Sequence, residues 1–208
     1  MFHFLYLLIM KNLKFLFLVL LFSCINVETS NMSNNTEKAY FGGGCFWCME
    51  PPFEVLDGVI EATSGYMGGE TENPTYEEVS MGNTGHVEVV EIEFDPNIIT
   101  YDELLDVFWR NIDPTALNYQ FADVGSQYRT EIFTVGAEQM EQALSSKQKL
   151  EDSGKFDKPI VTAITEAPTF YIAEEYHQDF YKKQSARYKI YAEASGRKGF
   201  LEETWSED

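Results

Sequence analysis

Two cysteines three residues apart are the strongest chemical signal in this sequence of 208 residues. Cys45 and Cys48 form a Cys-x-x-Cys pair directly after three glycines at positions 42–44. Two thiols at this spacing come close enough to form a disulfide after a small local adjustment. The pair alone is a weak indication of function, because redox proteins and metal knuckles both use it.

Redox chemistry fits this pair better than metal binding. A metal knuckle needs a second pair of ligands, whereas Cys24 and the three histidines, His3, His86 and His177, form no such pair. We therefore predict no metal and no cofactor. Two buried cysteines near the start of a helix are the purely structural alternative. The three glycines argue against it, because they favour an accessible loop.

The local pattern places the cysteines between a strand and a helix. We predict a strand at residues 38–41 and a helix that continues towards Leu56. Glycines allow the sharp turn that puts Cys45 at the first turn of this helix. The positive end of the helix dipole lowers the pKa of a thiol there, so the sequence predicts a reactive thiolate.

The other elements indicate an α+β fold with one domain and no repeats. Thr100 and Glu103 match a capping box at the start of an amphipathic helix, and Gly154 follows a second predicted helix as a C-cap. The loop at residues 113–127 is long enough to be a functional candidate, and the chain from Tyr188 onward is predicted to be mainly irregular. The remaining predictions are strands at residues 87–94, 131–135 and 160–165 and a helix over residues 138–153.

Residues 44–50, Gly-Cys-Phe-Trp-Cys-Met-Glu, resemble the signature of the peptide methionine sulfoxide reductase A family. The resemblance spans about residues 38–200 and implies that family's mixed sheet with packed helices, a two-layer sandwich. It also implies a peptide-methionine (S)-S-oxide reductase, which repairs oxidised proteins and reduces free methionine sulfoxide. Further matching segments follow in order at residues 64–69, 73–79, 85–88, 108–115, 125–129 and 173–178.

In this family the first cysteine is the nucleophile, so the resemblance implies that the Cys45 thiolate attacks the sulfoxide sulfur. The product on the enzyme is a sulfenic acid, which a nearby thiol can resolve. Many family members use a cysteine near the C-terminus, but no cysteine follows Cys48 here. Cys48 is therefore the candidate resolving thiol. Thioredoxin or a thioredoxin-like partner would then reduce the Cys45–Cys48 disulfide.

Glu88 has the parity of the apolar residues in the alternating segment 87–94. The pattern leaves two interpretations open. The carboxyl group either faces inward, where burial raises its pKa, or reaches solvent at the end of the strand. The resemblance favours the first and implies that Glu88 donates a proton. The sulfoxide oxygen finally leaves as water and must be protonated.

Other site residues are assigned by the resemblance alone. Tyr76 and Tyr128 adjoin loop signals and would by default cover the core; the family pattern implies that their hydroxyls polarise the sulfoxide oxygen. Asp123 is by default a turn residue, and the pattern implies that it orders the hydrogen-bond network. Phe46 and Trp47 would ordinarily be core residues, and the pattern implies an apolar wall for the substrate's methyl group. His86 and His177 receive no catalytic role.

The N-terminal segment resembles a secretory signal. Lys11 and Lys14 precede a short apolar run at residues 15–22, and Ser23-Cys24 resembles the lipobox of bacterial lipoproteins. We expect residues 1–23 to be a signal peptide, with Cys24 acylated. The protein would then be exported to the cell envelope or periplasm, anchored to a membrane by lipid, and reduced there by a partner of the thioredoxin fold.

Alternatives remain open for this segment: an uncleaved anchor over residues 2–22, a plain secretory peptide, or a start at Met10. Residues 24–37 are polar and predict a flexible tether. The catalytic domain would occupy residues 38–208.

Charge and composition limit the possible partners. There are 34 acidic and 15 basic side chains, a formal net charge of −19. This excludes nucleic acid and electrostatic docking on anionic lipid, because both need a basic surface. The apolar fraction of 44% argues against disorder. We expect a monomer. A thioredoxin-like disulfide oxidoreductase and a non-enzymatic surface lipoprotein are the rival classes.

Overall fold

Eight strands and seven helices follow one another along residues 36–206, the part of the chain that the computed structural model describes. The strands are β1 Glu37–Gly43, β2 Val59–Met67, β3 Val87–Phe94, β4 Tyr119–Gln120, β5 Asp123–Val124, β6 Thr130–Thr134, β7 Ala163–Glu166 and β8 Tyr171–Ile172. The helices are α1 Phe46–Glu54, α2 Tyr76–Ser80, α3 Tyr101–Trp109, α4 Gly136–Asp152, α5 Phe180–Lys183, α6 Ser185–Ala194 and α7 Arg197–Trp205, with a 3-10 turn at Ser126–Tyr128.

Six of the strands form one mixed sheet in the order β7-β6-β1-β3-β2-β8. Strands β6 and β7 are parallel neighbours, and helix α4 connects them along the chain. The other four neighbouring pairs are antiparallel. The remaining two, β4 and β5, form a small separate hairpin. The predicted single α+β domain with a mixed sheet is confirmed.

The two faces of the sheet bury different side chains. Phe41 of β1 belongs to the main core, where its ring lies 5.2 Å from Phe53 of α1 and 5.1 Å from Phe108 of α3. Tyr40 points to the opposite face and packs against Phe170 at 5.6 Å. This alternation follows from the two-residue period of a strand. It leaves a helical layer on one face of the sheet and a thin cover on the other.

Two capping boxes fix where the helices near the site begin. Thr100 accepts a hydrogen bond from the Glu103 N–H while the Glu103 carboxylate accepts one from the Thr100 N–H, as the sequence predicted. Thr75 and Glu78 make the same pair and start helix α2 at Tyr76. Each box pairs N–H groups that a helix start otherwise leaves without a partner.

The prediction of an irregular chain from Tyr188 onward is wrong, because helices α6 and α7 occupy most of that region. Helix α6 buries none of its residues and α7 buries Arg197 alone. Without an apolar stripe, the 3.6-residue periodicity that signals an amphipathic helix is missing from the sequence.

Several boundaries also differ from the prediction. Strand β7 begins at Ala163 and not at residue 160, because the Val161 N–H donates to the Pro114 carbonyl at 2.8 Å and not to the sheet. Strand β2, which pairs with both β3 and β8, was not among the predicted strands. The long loop at residues 113–127 contains the β4–β5 hairpin.

The predicted signal peptide, Cys24 and most of the tether lie outside the described residues. Within residues 36–206, no helix is long and apolar enough to cross a membrane.

Candidate active site

Cys45 immediately precedes helix α1, as its N-cap residue, and Cys48 lies in the first turn. The Cys48 N–H donates to the Cys45 carbonyl at 3.0 Å, and both residues are free thiols. Cys45 is 7% exposed and Cys48 is 5% exposed. The pair is therefore packed, and the expectation of an accessible loop is wrong.

The glycines before Cys45 serve close packing. Gly44 has φ +85°, and a Cβ there would lie 2.5 Å from the Cβ of Gln120. A Cβ on Gly43 would lie 2.7 Å from the Met49 sulfur. Any side chain at these positions would push the turn away from its neighbours, which explains glycine at a turn that is buried.

The expected low pKa of Cys45 is not what the structure gives. Burial raises the pKa of the Cys45 thiol well above its ordinary value, and the nearby Glu88 and Cys48 raise it further. A hydrogen bond from Tyr191 acts in the opposite direction. Desolvation outweighs the helix start here, because a charged sulfur in a packed site loses its hydration.

Glu88 faces inward, which decides between the two interpretations of its strand parity. It is 2% exposed, and its Oε2 accepts a hydrogen bond from the Phe46 N–H at 3.1 Å. Burial raises the pKa of Glu88 to about 8, although the Phe46 N–H opposes this. At neutral pH, Glu88 is therefore an uncharged carboxylic acid that lies beside Phe46, the residue that follows Cys45.

Tyr76 and Tyr128 are both half-buried next to this acid. Burial raises the pKa of Tyr76 to about 12, and the charges of Glu88 and Cys45 add to the effect. Tyr128, at the end of the 3-10 turn, has its pKa raised by burial and by the same two groups. Both hydroxyls therefore stay protonated as hydrogen-bond donors at the site. The structure brings these two predicted residues together with Cys45 and Glu88.

Asp123 reaches the site through a tyrosine that was not among the predicted site residues. The Tyr191 hydroxyl donates its one proton to the Asp123 carboxylate at 2.5 Å, and Tyr191 also lowers the pKa of the nearby Cys45 thiol. Burial raises the pKa of Asp123, while Tyr191 and Arg197 lower it. Tyr191 belongs to helix α6, in the region predicted to be irregular. No motif of the sequence pointed to it.

Trp47 and Phe46 contribute differently to the apolar surroundings. Trp47 is half-buried and stacks on Phe180 with 3.7 Å between ring centroids. Its indole N–H donates to His177 Nδ1 at 3.1 Å, which fixes the orientation of the ring. Phe46 is 1% exposed and packs against His177 and Tyr66. Trp47 thus borders the site, while Phe46 lies beneath it.

The histidines have structural hydrogen bonds. His86 accepts from the Gly69 N–H at 3.0 Å and contacts the Thr71 carbonyl at 2.8 Å, so both ring nitrogens are used. Burial lowers the pKa of His177, which leaves it a neutral acceptor for Trp47. Among residues 36–206, no group of three or more His, Cys, Asp or Glu side chains is arranged to hold a metal ion.

A buried thiol, a carboxylic acid and two tyrosine hydroxyls therefore meet at the start of helix α1. This set can deliver a sulfur nucleophile and a proton to the same small substrate, the combination that a thiol-based oxidoreductase uses to remove oxygen.

The comparisons with known proteins agree with this chemistry. The family model described as peptide methionine sulfoxide reductase matches residues 37–208. The peptide methionine sulfoxide reductase MsrA of Listeria welshimeri is 54% identical over 169 residues, which cover 81% of this chain and 96% of that protein. The MsrA of Bacillus pumilus is 53% identical over 85% of this chain and 99% of its own. The chain belongs to the peptide methionine sulfoxide reductase family.

Solved structures agree on the fold. Mxr1 of Saccharomyces cerevisiae in reduced form has a TM-score of 0.68 and 32% identity, covering 72% of this chain and 86% of its own. Methionine sulfoxide reductase A of Corynebacterium diphtheriae has a TM-score of 0.65 and 36% identity, covering 72% and 76%. The two-layer α+β sandwich expected from the sequence is therefore confirmed.

The Tyr191 hydroxyl is expected to support ionisation of Cys45. In a Cys48→Ser background, Tyr191→Phe should raise the pH at which Cys45 becomes reactive and slow its alkylation at pH 7 by about 10- to 100-fold, the worth of one hydrogen bond to a charged group. The measurement is the rate of iodoacetamide incorporation into the Cys45 peptide across pH.

Tyr188→Phe, on the same helix, is the matched control, because Tyr188 makes no hydrogen bond with either Cys45 or Asp123 among the contacts of the described residues. Equal pH profiles for both variants would show that the Tyr191 hydroxyl does not act on Cys45.

Proposed function

We propose that this chain reduces the S epimer of methionine sulfoxide, free or in proteins, to methionine, and thereby repairs oxidised proteins. One observation carries the proposal: the protonated Glu88 lies against the Phe46 N–H, next to the Cys45 thiol. Loss of oxygen from a sulfoxide requires a nucleophile at sulfur and a proton at oxygen. Both groups come from adjacent points of this site.

In the first step, the Cys45 sulfur attacks the sulfoxide sulfur while Glu88 donates its proton to the oxygen. Tyr76 and Tyr128 donate hydrogen bonds to the same oxygen, and Trp47 packs against the methyl group. The Tyr191 hydroxyl lies between Asp123 and Cys45, and its one proton turns from Asp123 to the Cys45 sulfur as the thiolate forms. The protonated oxygen then transfers to the Cys45 sulfur, while its bond to the substrate sulfur and the bond between the two sulfurs break. Methionine leaves, and Cys45 becomes a sulfenic acid. The sulfoxide is reduced by two electrons and Cys45 is oxidised by two.

Glu88 sets a pH limit on this step. Its raised pKa of about 8 means that the proton is present below this pH and is lost above it. The rate of methionine formation in one turnover should therefore fall as pH rises through about 8. Glu88→Gln should remove this descending limb and lower the rate at pH 7 by about 100-fold or more, the worth of a general acid.

Glu91→Gln is the control, because Glu91 lies on the same strand but forms an ion pair with Lys38 at 2.8 Å. A Glu88→Gln enzyme that keeps the wild-type rate near neutral pH would remove the proton-donor role.

In the second step, Cys48 attacks the sulfur of the Cys45 sulfenic acid and releases water. The two thiols lie within one helical turn, and the hydrogen bond from the Cys48 N–H to the Cys45 carbonyl holds the two residues close together. Thioredoxin or a thioredoxin-like protein then reduces the disulfide. A solved structure of the yeast relative Mxr1 contains Trx2. That likeness, at 22% identity and a TM-score of 0.50, concerns the fold.

Cys48→Ser should complete one turnover and then stop cycling with thioredoxin. We expect one methionine per enzyme at an unchanged rate, and a loss of thioredoxin-driven NADPH consumption of about 100-fold or more. The assay contains thioredoxin, thioredoxin reductase and a methionine sulfoxide ester. Wild-type consumption by Cys48→Ser would exclude Cys48 as the resolving thiol. A protein that reduced insulin disulfides but left the ester untouched would instead be a thioredoxin-like exchanger.

The N-terminal pattern supports a further proposal, that the protein is exported and held at a membrane by a lipid on Cys24. Its basis is the sequence of residues 11–24, two lysines and an apolar run before Ser23-Cys24. An exported enzyme is out of reach of cytosolic thioredoxin, so its reductant would be a membrane-relayed protein of the thioredoxin fold.

Mass spectrometry of the mature protein tests this proposal. The native protein should lack residues 1–23 and carry a lipid increment on Cys24, and Cys24→Ala should lose both the increment and the membrane fraction. An intact chain recovered wholly in the cytosol would contradict export and the lipid anchor together.

A further inference from the structure

Arg197 is a cation in an unfavourable place. It is the first residue of helix α7, where the positive end of the helix dipole opposes a positive charge. It is also 7% exposed, so the guanidinium has lost most of its hydration. Buried arginines are normally paired with an anion. The position therefore needs an electrostatic explanation.

The hydrogen bonds of Arg197 go to neutral atoms. Nη2 donates to the Gly43 carbonyl at 2.8 Å, and Nη1 donates to the Asn111 carbonyl and contacts the Met49 sulfur at 3.3 Å. The guanidinium carbon also lies 4.7 Å from the Phe121 ring centroid. These contacts satisfy the N–H groups but supply no negative charge. Within the described part of the chain, no carboxylate forms an ion pair with Arg197.

These contacts bracket the two cysteines. Gly43 lies two residues before Cys45, and Met49 directly follows Cys48. The guanidinium also lowers the pKa of the Cys48 thiol, through its charge and a hydrogen bond. Asp123 lies near enough for Arg197 to lower the pKa of its carboxyl group but forms no ion pair with it, so an anion on Cys48 would give Arg197 a direct partner.

We propose that Arg197 is a positioning residue for the resolving step, whose guanidinium holds the Cys48 side chain as a thiolate aimed at Cys45. The proposal rests on the resolving role of Cys48 proposed above. The charge that activates Cys48 therefore comes from helix α7, near the C-terminus.

The chemistry of the step explains the need for this charge. The Cys48 thiolate attacks the sulfenic sulfur of Cys45, so a sulfur–sulfur bond forms and the sulfur–oxygen bond breaks. The oxygen leaves with its electron pair as hydroxide and takes up a proton to become water. Cys48 is oxidised and the sulfenic sulfur is reduced, so no outside oxidant is needed. The attacking group must be the thiolate, because the neutral thiol is a poor nucleophile.

The surroundings of Cys48 otherwise work against ionisation. Burial raises the pKa of the Cys48 thiol, and Arg197 is the strongest influence that lowers it. Asp123 and Glu88 raise it when they are charged. Cys45, Tyr188 and Tyr191 also interact electrostatically with Cys48. Arg197 is thus the cation that offsets an acidic and apolar environment.

The test is the pH dependence of Cys48 reactivity in the full chain with Cys45→Ser. Iodoacetamide incorporation into the Cys48 peptide is followed by mass spectrometry. Arg197→Gln, which keeps a hydrogen-bond donor and removes the charge, should move the midpoint upward by about one to three pH units. At pH 7 the alkylation rate should fall at least about tenfold. Arg197→Lys should restore most of the rate, because it restores the charge.

A purely structural role of Arg197 predicts a different pattern. Lysine cannot reproduce the two carbonyl hydrogen bonds, so Arg197→Lys would then resemble Arg197→Gln in both reactivity and melting temperature. Lys198→Met is the matched control, since it removes the same charge one residue later, where the side chain is exposed and pairs with Glu202. It should leave the Cys48 midpoint unchanged.

Single turnovers with Cys45 present separate this proposal from the function on which it rests. Arg197→Gln should still form one methionine per enzyme but accumulate the Cys45 sulfenic acid, trapped by dimedone, while the disulfide forms at least about tenfold more slowly at pH 7. An unchanged alkylation midpoint in Arg197→Gln would overturn the role of Arg197 and leave the reductase function standing. Failure to form methionine in wild-type enzyme would instead overturn the proposed function.

Discussion

The hydrogen bond from the Phe46 N–H to the Glu88 carboxyl group joins the start of helix α1 to strand β3, and the chemistry of the site depends on it. Cys45 provides no side-chain cap for its helix, so the first N–H groups need acceptors from elsewhere. Glu88 supplies one from the sheet. The same contact that completes the helix start therefore places an acid next to Cys45. After Glu88 has given up its proton, the Phe46 N–H still donates a hydrogen bond to the resulting carboxylate.

The burial that makes this contact possible also sets its electrostatics. With Cys45 and Glu88 both shielded from water, the uncharged forms of the two groups are favoured. A neutral acid suits proton donation, whereas a neutral thiol does not suit attack. Tyr191 is the group that offsets this conflict on the Cys45 side, since its hydroxyl lies between Cys45 and Asp123.

Much of the fold was predictable because it depends on local patterns. The capping box at Thr100, the alternation of β3 and the turn before Cys45 are all encoded by neighbouring residues. The strand period placed Glu88 with the apolar residues but left open whether its carboxyl group is buried. The buried state of Cys45 was not predictable, because it depends on Gln120 and Met49 packing against the glycine turn. Tyr191 and Arg197 were missed for a related reason: helices α6 and α7 have no apolar stripe, and their roles arise from contacts more than 60 residues away along the chain.

The C-terminal segment, helices α5, α6 and α7, contains no cysteine but contacts the site through aromatic rings and one charged side chain. No cysteine follows Cys48, so this segment cannot resolve the sulfenic acid itself, yet it contacts the site at three points. Phe180 stacks on Trp47, Tyr191 bonds to Asp123, and Arg197 reaches the Gly43 carbonyl. The two chemical steps need opposite environments: a proton held near the substrate oxygen, then a thiolate ready to attack. Glu88 and Arg197 approach the cysteine pair from different elements, so the first step has a neutral acid and the second step has a cation within one turn of helix α1. The buried cation beside Cys48 serves the second step. In a protein with a net charge of −19, the acidic surface alone would oppose the formation of a thiolate at Cys48.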